Sequence, residues 1–429
     1  MIPQVLEIKK RNCDDLKGKF LDKSHYDLLI NKDTDVYTKN VDQKTDESNV
    51  IIKFRKNIFT QKEADLCYEG LIGAATLSHN RGKAAGLRAQ GGKDREWVAA
   101  YQLAVLEYFT SSHNNFFDKT TLESIKKEHK NSLSKEECRG QVWMPTEIRK
   151  EHDPYFGWFD RWVDNIEHKS KTEQSIAAEY VRNNYISDTN QAPGVMSGVA
   201  GYYSRYPRIP YGRSTAYTEK NPELFAKSFP FLNRLNDEFK NLLPERWAAQ
   251  KTAANKLDKK FLIDKTVFTT LTVNHNWRTA AHLDAGDLEQ GFSNLCTFGK
   301  GWSGAELILP EYRAAVDLQP GDLLLVANHT AIHSNAPLGP PFKGGEPDRM
   351  SLVAYFREDM FNLKSWEYEC LRRQFVDERR FNKNHKEWRP FWNGVGVKMW
   401  ESQEWKDYMK KHNMADPYAV SSIEQFFSV

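Results

Sequence analysis

The stretch VFTTLTVNHNWRTAAHLDAGD, residues 267–287, changes character halfway along its length. It begins as a run of apolar, β-branched and aromatic residues, which is typical of a buried strand. It ends in His282-Leu283-Asp284, and residues two apart on an extended chain project to the same side. The stretch therefore predicts a strand that leads into an imidazole and a carboxylate held side by side.

Further short β-rich runs follow, separated by turns that contain glycine or proline. They are SNLCTFG (293–299), AELILP (305–310), AAVDL (314–318), DLLLVAN (322–328) and RMSLVAYFR (349–357). Many short strands at close spacing favour a β-sandwich or barrel over a sheet in which strands alternate with helices.

Outside this β-rich part the spacing of apolar residues is mostly helical. We predict four regions: a polar N-terminal extension (1–59), a mainly helical support region (60–191), a β-rich core (192–360) and a Trp-rich helical C-terminal region (361–429). Thr60 followed by Glu63 predicts a capping box at the first helix of the support region.

The composition narrows the class of protein. Lys and Arg number 61 against 58 Asp and Glu, so the net charge of +3 does not by itself indicate nucleic acid. The five cysteines are scattered without a CxxC pair, which favours reduced thiols. The N-terminus carries no apolar signal-peptide core, and no stretch reaches the length of a membrane span. We therefore expect an intracellular protein, in the cytoplasm or nucleus, with no membrane association.

His282 and Asp284 become more informative when a third metal ligand is sought downstream. A mononuclear Fe(II) site for oxygen chemistry uses two histidines and one carboxylate and leaves the other positions open. His333, in TAIHSN after the run that ends at residue 328, is the candidate for the second histidine. His329, in ANHTA, competes with it, and the spacing alone does not choose between the two.

An iron oxygenase of this kind needs a second anchor, because 2-oxoglutarate commonly supplies its electrons. The far carboxylate of 2-oxoglutarate fits a guanidinium, which binds it through two parallel hydrogen bonds. Arg349 and Ser351 are two residues apart in a predicted strand, so both project to one face. This pair is the predicted co-substrate grip.

Residues from about 213 to 360 resemble the TET/JBP family of Fe(II)/2-oxoglutarate dioxygenases, which oxidise the C5-methyl group of pyrimidines in DNA. The resemblance rests on RSTAYT, NHNWRTAAHLDAGD, SGAELILPEYRAAVDLQPGDLLLVANHTAIHSN and RMSLVAYFRED. Its most specific parts are the Gly-Ala-Glu-Leu-x-Leu-Pro-Glu run and the acidic-x-x-Pro-Gly-Asp-x-Leu turn. The spacing of sixteen residues from His333 to Arg349 is also specific, and it favours His333 over His329 as the ligand.

The resemblance implies an α+β protein whose core is a double-stranded β-helix, of the jelly-roll or cupin-like type, with flanking α-helices. It implies Fe(II) held by His282, Asp284 and His333, and 2-oxoglutarate held by Arg349 with Ser351, with O2 as the oxidant. The substrate would be DNA, from which the methylated base is flipped into the pocket. We expect the chain to act as a monomer.

Asp287, three residues after Asp284, is the predicted contact to the base. An ionised carboxylate accepts from the N4 amino group of cytosine and repels the O4 acceptor of thymine, which favours 5-methylcytosine. Asn276 and Arg213 are further predicted substrate contacts, the latter in a segment that mixes Arg with Tyr. The basic, glycine-rich segment NRGKAAGLRAQGGKDR (80–95) is suited to phosphate.

Three alternatives remain at the level of sequence. One relative of the family uses vitamin C as co-substrate and adds a glyceryl unit to 5-methylcytosine. A dioxygenase of this type can also act on RNA, on protein or on a metabolite. The alternative outside enzymes is a catalytically silent DNA-binding module, although such a module would not need all four groups of the triad and anchor.

Overall fold

The computed structural model describes residues 2–39, 47–78, 81–86, 194–205, 209–284, 286–339, 347–381, 400 and 402–417. The strands in these ranges are β1 Gln4–Ile8, β2 Leu28–Ile30, β3 Thr34–Thr38, β4 Val50–Arg55, β5 Leu77–Ser78, β6 Val195–Arg205, β7 Ile209–Ser214, β8 Thr270–His275, β9 Ser293–Lys300, β10 Leu307–Leu309, β11 Ala314–Val316, β12 Leu323–Val326, β13 Ser334–Asn335 and β14 Asp348–Tyr355. The α-helices are α1 Gln61–Leu71, α2 Ala216–Lys220, α3 Pro222–Lys227, α4 Phe229–Leu242, α5 Pro244–Ala254, α6 Trp366–Phe381 and α7 Gln403–Lys411. None of the helices in these ranges is long and apolar enough to cross a membrane.

Within the described residues the strands form two sheets. The larger has ten strands in the order β1-β3-β4-β12-β9-β14-β8-β6-β5, with β7 also pairing β6. The smaller has four strands in the order β13-β10-β11-β2. Mixed sheets together with helices confirm the predicted α+β class.

Strand β14 lies at the centre of the larger sheet, antiparallel to both β8 and β9. Its side chains alternate between two faces, as the period of a strand requires. Met350, Leu352 and Ala354 are fully buried on one face. Arg349 and Ser351 project to the other face, which borders a cavity. The alternation predicted for the Arg349-x-Ser351 pair is therefore observed.

The hydrophobic core that supports the cavity joins the two sheets. Phe54, Leu324 and Val326 of the larger sheet pack in one buried cluster with Leu309 and Val316 of the smaller sheet. Because both sheets contribute to one core, the strands that carry functional side chains are fixed relative to each other by packing.

The N-terminal region differs from the polar extension that we predict for residues 1–59. Strands β1, β3 and β4 extend the larger sheet as far as β12, and β2 pairs in parallel with β11 of the smaller sheet. The sequence predicts no strands here because the strands are short and the region is polar on average. In the structure, residues such as Val36 and Ile52 are nevertheless fully buried. At helix α1 the predicted capping box is confirmed, since Glu63 N–H donates to Thr60 Oγ1 and Thr60 N–H donates to Glu63 Oε2.

The chain divides into two compact units. The first contains the described residues of Met1–Ala89, Asp188–Tyr203 and Arg213–Phe361, and the second contains those of Ser204–Gly212 and Asn362–Val429. In the second unit Trp405 is fully buried in an aromatic cluster with Phe375 and Tyr408. Most of the predicted helical support region, residues 87–191, lies outside the described residues, and the domain boundaries stay a prediction.

Candidate active site

His282 and His333 face each other across an isolated antiparallel bridge in the first unit. Each backbone N–H donates to the carbonyl oxygen of the other residue, at 3.0 Å in both directions. The two residues thus form one directly opposed pair, and their ring centroids lie 4.3 Å apart. A bridge between residues 282 and 333 brings together two side chains that are distant along the chain.

Asp284 completes a cluster with these histidines. Its Oδ1 lies 3.4 Å from His282 Nε2, and its Oδ2 lies 3.7 Å from His333 Nε2. One ligand atom from each residue lies within 4.8 Å of the others. His329, the competing histidine, is not part of this cluster and does not line the cavity. The geometry therefore agrees with His333 as the second histidine.

The protonation pattern of the histidines follows from their other ring nitrogens. His282 Nδ1 lies 2.8 Å from the carbonyl oxygen of Ala280, and His333 Nδ1 lies 3.0 Å from that of Ala331. A carbonyl only accepts, so Nδ1 carries the proton in each ring and Nε2 presents its lone pair to the cluster. Backbone carbonyls in this position fix the orientation of metal-ligating histidines.

The pKa values of His282, Asp284 and His333 are shifted in different directions. Burial lowers the pKa of His333 to about 4, with the nearby His282 adding to the shift. Burial also lowers the pKa of His282, but the Asp284 carboxylate outweighs it and the net shift is upward. Although burial raises the pKa of Asp284, His333, His282 and an amide hydrogen bond from Asn328 together lower it. Asp284 is therefore an anion at neutral pH.

A cavity of about 490 Å³ opens beside this cluster, within the same unit. Arg349 lines it from β14 and is only 4 % exposed. Its Nε has no hydrogen-bond partner, and no carboxylate of the described residues pairs with its guanidinium. The guanidinium carbon lies 5.1 Å from the ring centroid of Trp302. Burial lowers the pKa of Arg349 to about 10, so it still carries its charge at neutral pH.

Ser351 lines the same cavity, two residues after Arg349. Its hydroxyl accepts from Asn274 Nδ2 at 3.4 Å, and the backbone register places it opposite Asn274 on β8 and Thr297 on β9. Asn274 in turn accepts a hydrogen bond from the hydroxyl of Ser197. The cavity wall next to Arg349 is therefore polar, with the hydroxyl that the sequence predicts.

Asp287 also lines the cavity and is 7 % exposed. Ser293 Oγ donates to its Oδ2 at 2.7 Å, and among the described residues no hydrogen bond reaches its Oδ1. Burial raises the pKa of Asp287 well above its ordinary value, the Asp284 charge adds to the rise, and Arg357 opposes it. The structure thus brings the predicted base contact into the cavity.

The other two predicted substrate contacts do not line the cavity. Asn276 has a positive φ of 46° and uses its side chain on the backbone of the adjacent strand, where it accepts from Arg349 N–H and donates to Pro347 O. Arg213 donates to the carbonyl of Ser214 and pairs with Glu219. Neither orientation can be read from the sequence, because each depends on the neighbour that the fold supplies.

The structure adds residues that the sequence analysis did not assign. Asn328 donates its side-chain N–H to Asp284 Oδ2 at 3.1 Å, and its carbonyl accepts from the backbone N–H of Asp284. Arg81 lines the cavity together with Gly82 and Ala84, from the basic, glycine-rich segment that we associate with phosphate. The basic, glycine-rich composition of this segment was the feature of the sequence that could have indicated Arg81 as a site residue. Residues 87–95 of the segment lie outside the described residues.

The donor set fits Fe(II) and 2-oxoglutarate. Two nitrogen lone pairs and an anionic carboxylate converge within 4.8 Å of one another, and such a set of acceptors is satisfied by a metal cation. A buried guanidinium with an unpartnered Nε lines the same cavity and fits a carboxylate. His282, Asp284 and His333 could therefore hold iron, and Arg349 could hold the co-substrate.

Comparison with known proteins agrees with this chemistry. The family model described as the oxygenase domain of the 2OGFeDO superfamily, Tet_JBP, matches residues 199–358. The chain is 32% identical over 193 residues to the thymine dioxygenase JBP1 of Crithidia fasciculata, which covers 44% of this chain and 23% of the relative. It is 34% identical over 164 residues to JBP1 of Trypanosoma brucei brucei, covering 38% of this chain and 19% of the relative.

A solved structure described as NgTET1 in complex with 5mC DNA aligns with 87% of this chain and 90% of its own, at 11% identity and a TM-score of 0.39. The matched segment spans less than a quarter of the length of the JBP1 relatives. The assignment rests on the family model and on these sequence relatives. On that basis residues 199–358 of the chain are similar to the oxygenase domain of the TET/JBP family, within the Fe(II)/2-oxoglutarate oxygenase superfamily.

Proposed function

We propose that this protein oxidises the C5-methyl group of a pyrimidine in DNA, with 5-methylcytosine favoured over thymine. The observation that carries the proposal is a His-Asp-His cluster beside a buried arginine whose Nε has no hydrogen-bond partner among the described residues, both lining one cavity. A structural role for either feature would not require the other. Together they supply a metal site and a carboxylate site at one place.

The proposed roles follow from the contacts. His282, Asp284 and His333 hold iron, oriented by the Ala280 and Ala331 carbonyls. Arg349 holds the far carboxylate of 2-oxoglutarate, with the Ser351 hydroxyl beside it. When bound, iron and 2-oxoglutarate supply the O2-dependent oxidation that converts the methyl group to hydroxymethyl or further, with succinate and CO2 as co-products.

The substrate class is argued from the size and lining of the cavity. About 490 Å³ accommodates a nucleobase together with a small acid, whereas a duplex has to present its base by flipping. No hydrogen bond from the described residues reaches Asp287 Oδ1, and a carboxyl oxygen accepts from the N4 amino group of cytosine in either protonation state. The JBP1 relatives are named thymine dioxygenases, so thymine is the base against which this preference has to be tested.

We also propose that the two sheets are the halves of a double-stranded β-helix, which includes the N-terminal strands β1–β4. The shared core between the sheets and the position of the cluster at the β-bridge support this description. All the proposed site residues lie on one chain and in one unit, as a monomer would require. Activity on DNA would place the protein in the nucleus or the cytoplasm.

The experiment is an aerobic incubation with Fe(II), 2-oxoglutarate and matched oligonucleotides that carry 5-methylcytosine or thymine, followed by nucleoside mass spectrometry. His333→Ala should abolish both base oxidation and succinate formation, while His329→Ala, a matched control four residues away, should retain both. An arm with ascorbate and no 2-oxoglutarate tests glyceryl transfer, and methylated RNA tests that substrate class. A native chain that forms no succinate with any methylated nucleic acid would refute the proposal, and a silent DNA-binding module would then fit better.

A further inference from the structure

The turn from Ala327 to Ile332 supplies most of the contacts that orient the proposed metal ligands. Asn328 contacts Asp284 twice, with its side-chain N–H on Oδ2 and its carbonyl on the backbone N–H, both at 3.1 Å. The carbonyl of Ala331 accepts from His333 Nδ1 at 3.0 Å. The position of this turn therefore decides the orientation of two of the three ligands.

A buried carboxylate outside the cavity holds the turn. Glu311 is 6 % exposed and lies in the turn between β10 and β11, and its Oε2 accepts from the backbone N–H of Ile332 at 2.8 Å. Ile332 directly precedes His333 in the chain. Loss of this acceptor would leave a buried N–H unsatisfied, and the turn would have to shift to satisfy it.

The N-terminal segment completes the arrangement with a cation. Lys10, two residues after β1, places its Nζ 3.3 Å from Glu311 Oε1 and donates to the carbonyl of Thr330 at 2.8 Å. The backbone is fixed next to it, because Arg11 N–H donates to the carbonyl of Glu311 at 2.9 Å. Lys10 and Glu311 thus form hydrogen bonds with two peptide groups of the same turn, Lys10 with the carbonyl of Thr330 and Glu311 with the N–H of Ile332.

We propose that Lys10 and Glu311 are positioning residues of the metal centre, acting through the turn Ala327–Ile332 on Asp284 and His333. The inference rests on the proposed function, since it presupposes that these ligands bind a metal. A constellation of ligands has to be held to within about 0.5 Å, and outer contacts typically change metal affinity by about 10- to 100-fold. On this view the segment around Lys10 contributes to the geometry of the metal centre.

The competing interpretation is that the pair only fastens the N-terminal segment to the fold. Both interpretations expect lower stability when Glu311 is truncated, so stability alone does not separate them. They differ in whether the affinity and the spectrum of the metal site change. They also differ at Lys10, which is 41% exposed in its side chain and can be replaced without opening the core.

The test measures binding of Co(II) to the full-length chain under anaerobic conditions, by its visible absorption, with the urea unfolding midpoint of each variant in parallel. Glu311→Ala should weaken Co(II) binding by about 10-fold and change the absorption spectrum. Glu311→Gln keeps an oxygen that accepts from Ile332 N–H, so it should stay within about 3-fold of the native chain. Lys10→Met should weaken binding by about 3-fold.

Two matched controls exclude general effects. Lys9→Met removes an exposed neighbouring cation and should leave Co(II) binding unchanged. Val36→Ala shortens a fully buried side chain in β3 and should lower stability without altering the Co(II) spectrum. Native affinity and spectrum in Glu311→Ala and Lys10→Met would overturn the inference alone, whereas a native chain that binds no Co(II) through His333 would overturn the proposed function and the inference with it.

Discussion

Replacing Arg349 with Met should have opposite effects on ligand binding and on stability. Met retains an apolar stem of similar length and removes the charge. Among the described residues no carboxylate pairs with the guanidinium, and burial lowers its pKa to about 10, which corresponds to a cost of about 3 kcal/mol for keeping it charged. The cation–π contact with the Trp302 ring offsets about 1–2 kcal/mol of this cost. The free energy of unfolding should therefore rise on the order of 1 kcal/mol in Arg349→Met.

Binding of 2-oxoglutarate should change far more. Removing one partner of a buried charge pair costs about 2–5 kcal/mol, which corresponds to a dissociation constant that is about 30-fold to several thousand-fold higher. Arg349→Lys keeps the charge but loses the planar fork, so its dissociation constant should lie between those of the native chain and Arg349→Met. Arg349→Met should be more stable than the native chain because the pKa of Arg349 is lowered in the folded state. Keeping this side chain charged therefore destabilises the folded native chain at every pH below about 10.

Equilibrium dialysis of labelled 2-oxoglutarate with Mn(II) in place of iron measures the affinity without turnover, and urea unfolding without ligand measures the stability. Ser303→Ala, at a residue near Trp302 that does not line the cavity, serves as the control for binding. If Arg349→Met binds 2-oxoglutarate as the native chain does and is less stable by several kcal/mol, Arg349 is a structural cation and the co-substrate site lies elsewhere.

Three further outcomes are expected. Asp287→Asn adds an N–H that can meet O4 of thymine, so the ratio of 5-methylcytosine to thymine oxidation should fall by about 10-fold in a competition assay; an unchanged ratio means that Asp287 does not read the base. Gly198→Ala places a Cβ 1.8 Å from the backbone carbonyl oxygen of Ala74, so the free energy of unfolding measured by urea titration should fall by about 1–3 kcal/mol. Native stability of this variant would show that the backbone at Gly198 lies farther from Ala74 than in the structure. Because burial raises the pKa of the thiols of Cys67 and Cys296, iodoacetamide at pH 8 should modify exposed Cys370 well before either, as followed by peptide mass spectrometry; early labelling of the buried pair would contradict their placement.

Local spacing was sufficient for the parts of the site that lie on one strand. The period of two places Arg349 and Ser351 on the same face of β14, and both line the cavity. His282 and Asp284 are also two residues apart and their side chains meet, although they lie in a loop in which His282 forms only an isolated bridge. The capping box at Thr60 depends only on residues of one turn. These features were predictable because neighbours along the chain fix them.

Pairing between distant segments was not predictable in the same way. Asn276 and Arg213 have residue types that suit a substrate contact, yet their side chains bind protein groups supplied by other parts of the fold. The strands of the first 55 residues are short and lie in a region that is polar on average, and their places in the sheets depend on partners far along the chain, such as β11 and β12. Periodicity carries no information about such partners.

The sequence by itself determined the type of chemistry, because the identities and spacings of His282, Asp284, His333 and Arg349 limit which metal and which co-substrate could be held. The tertiary structure decided which groups surround them. It closed the bridge between His282 and His333, left Arg349 Nε without a hydrogen-bond partner among the described residues, and set Glu311 against the turn before His333. The reason is physical: donor types belong to single residues, whereas burial, pairing and charge compensation belong to contacts that exist only once the chain has folded.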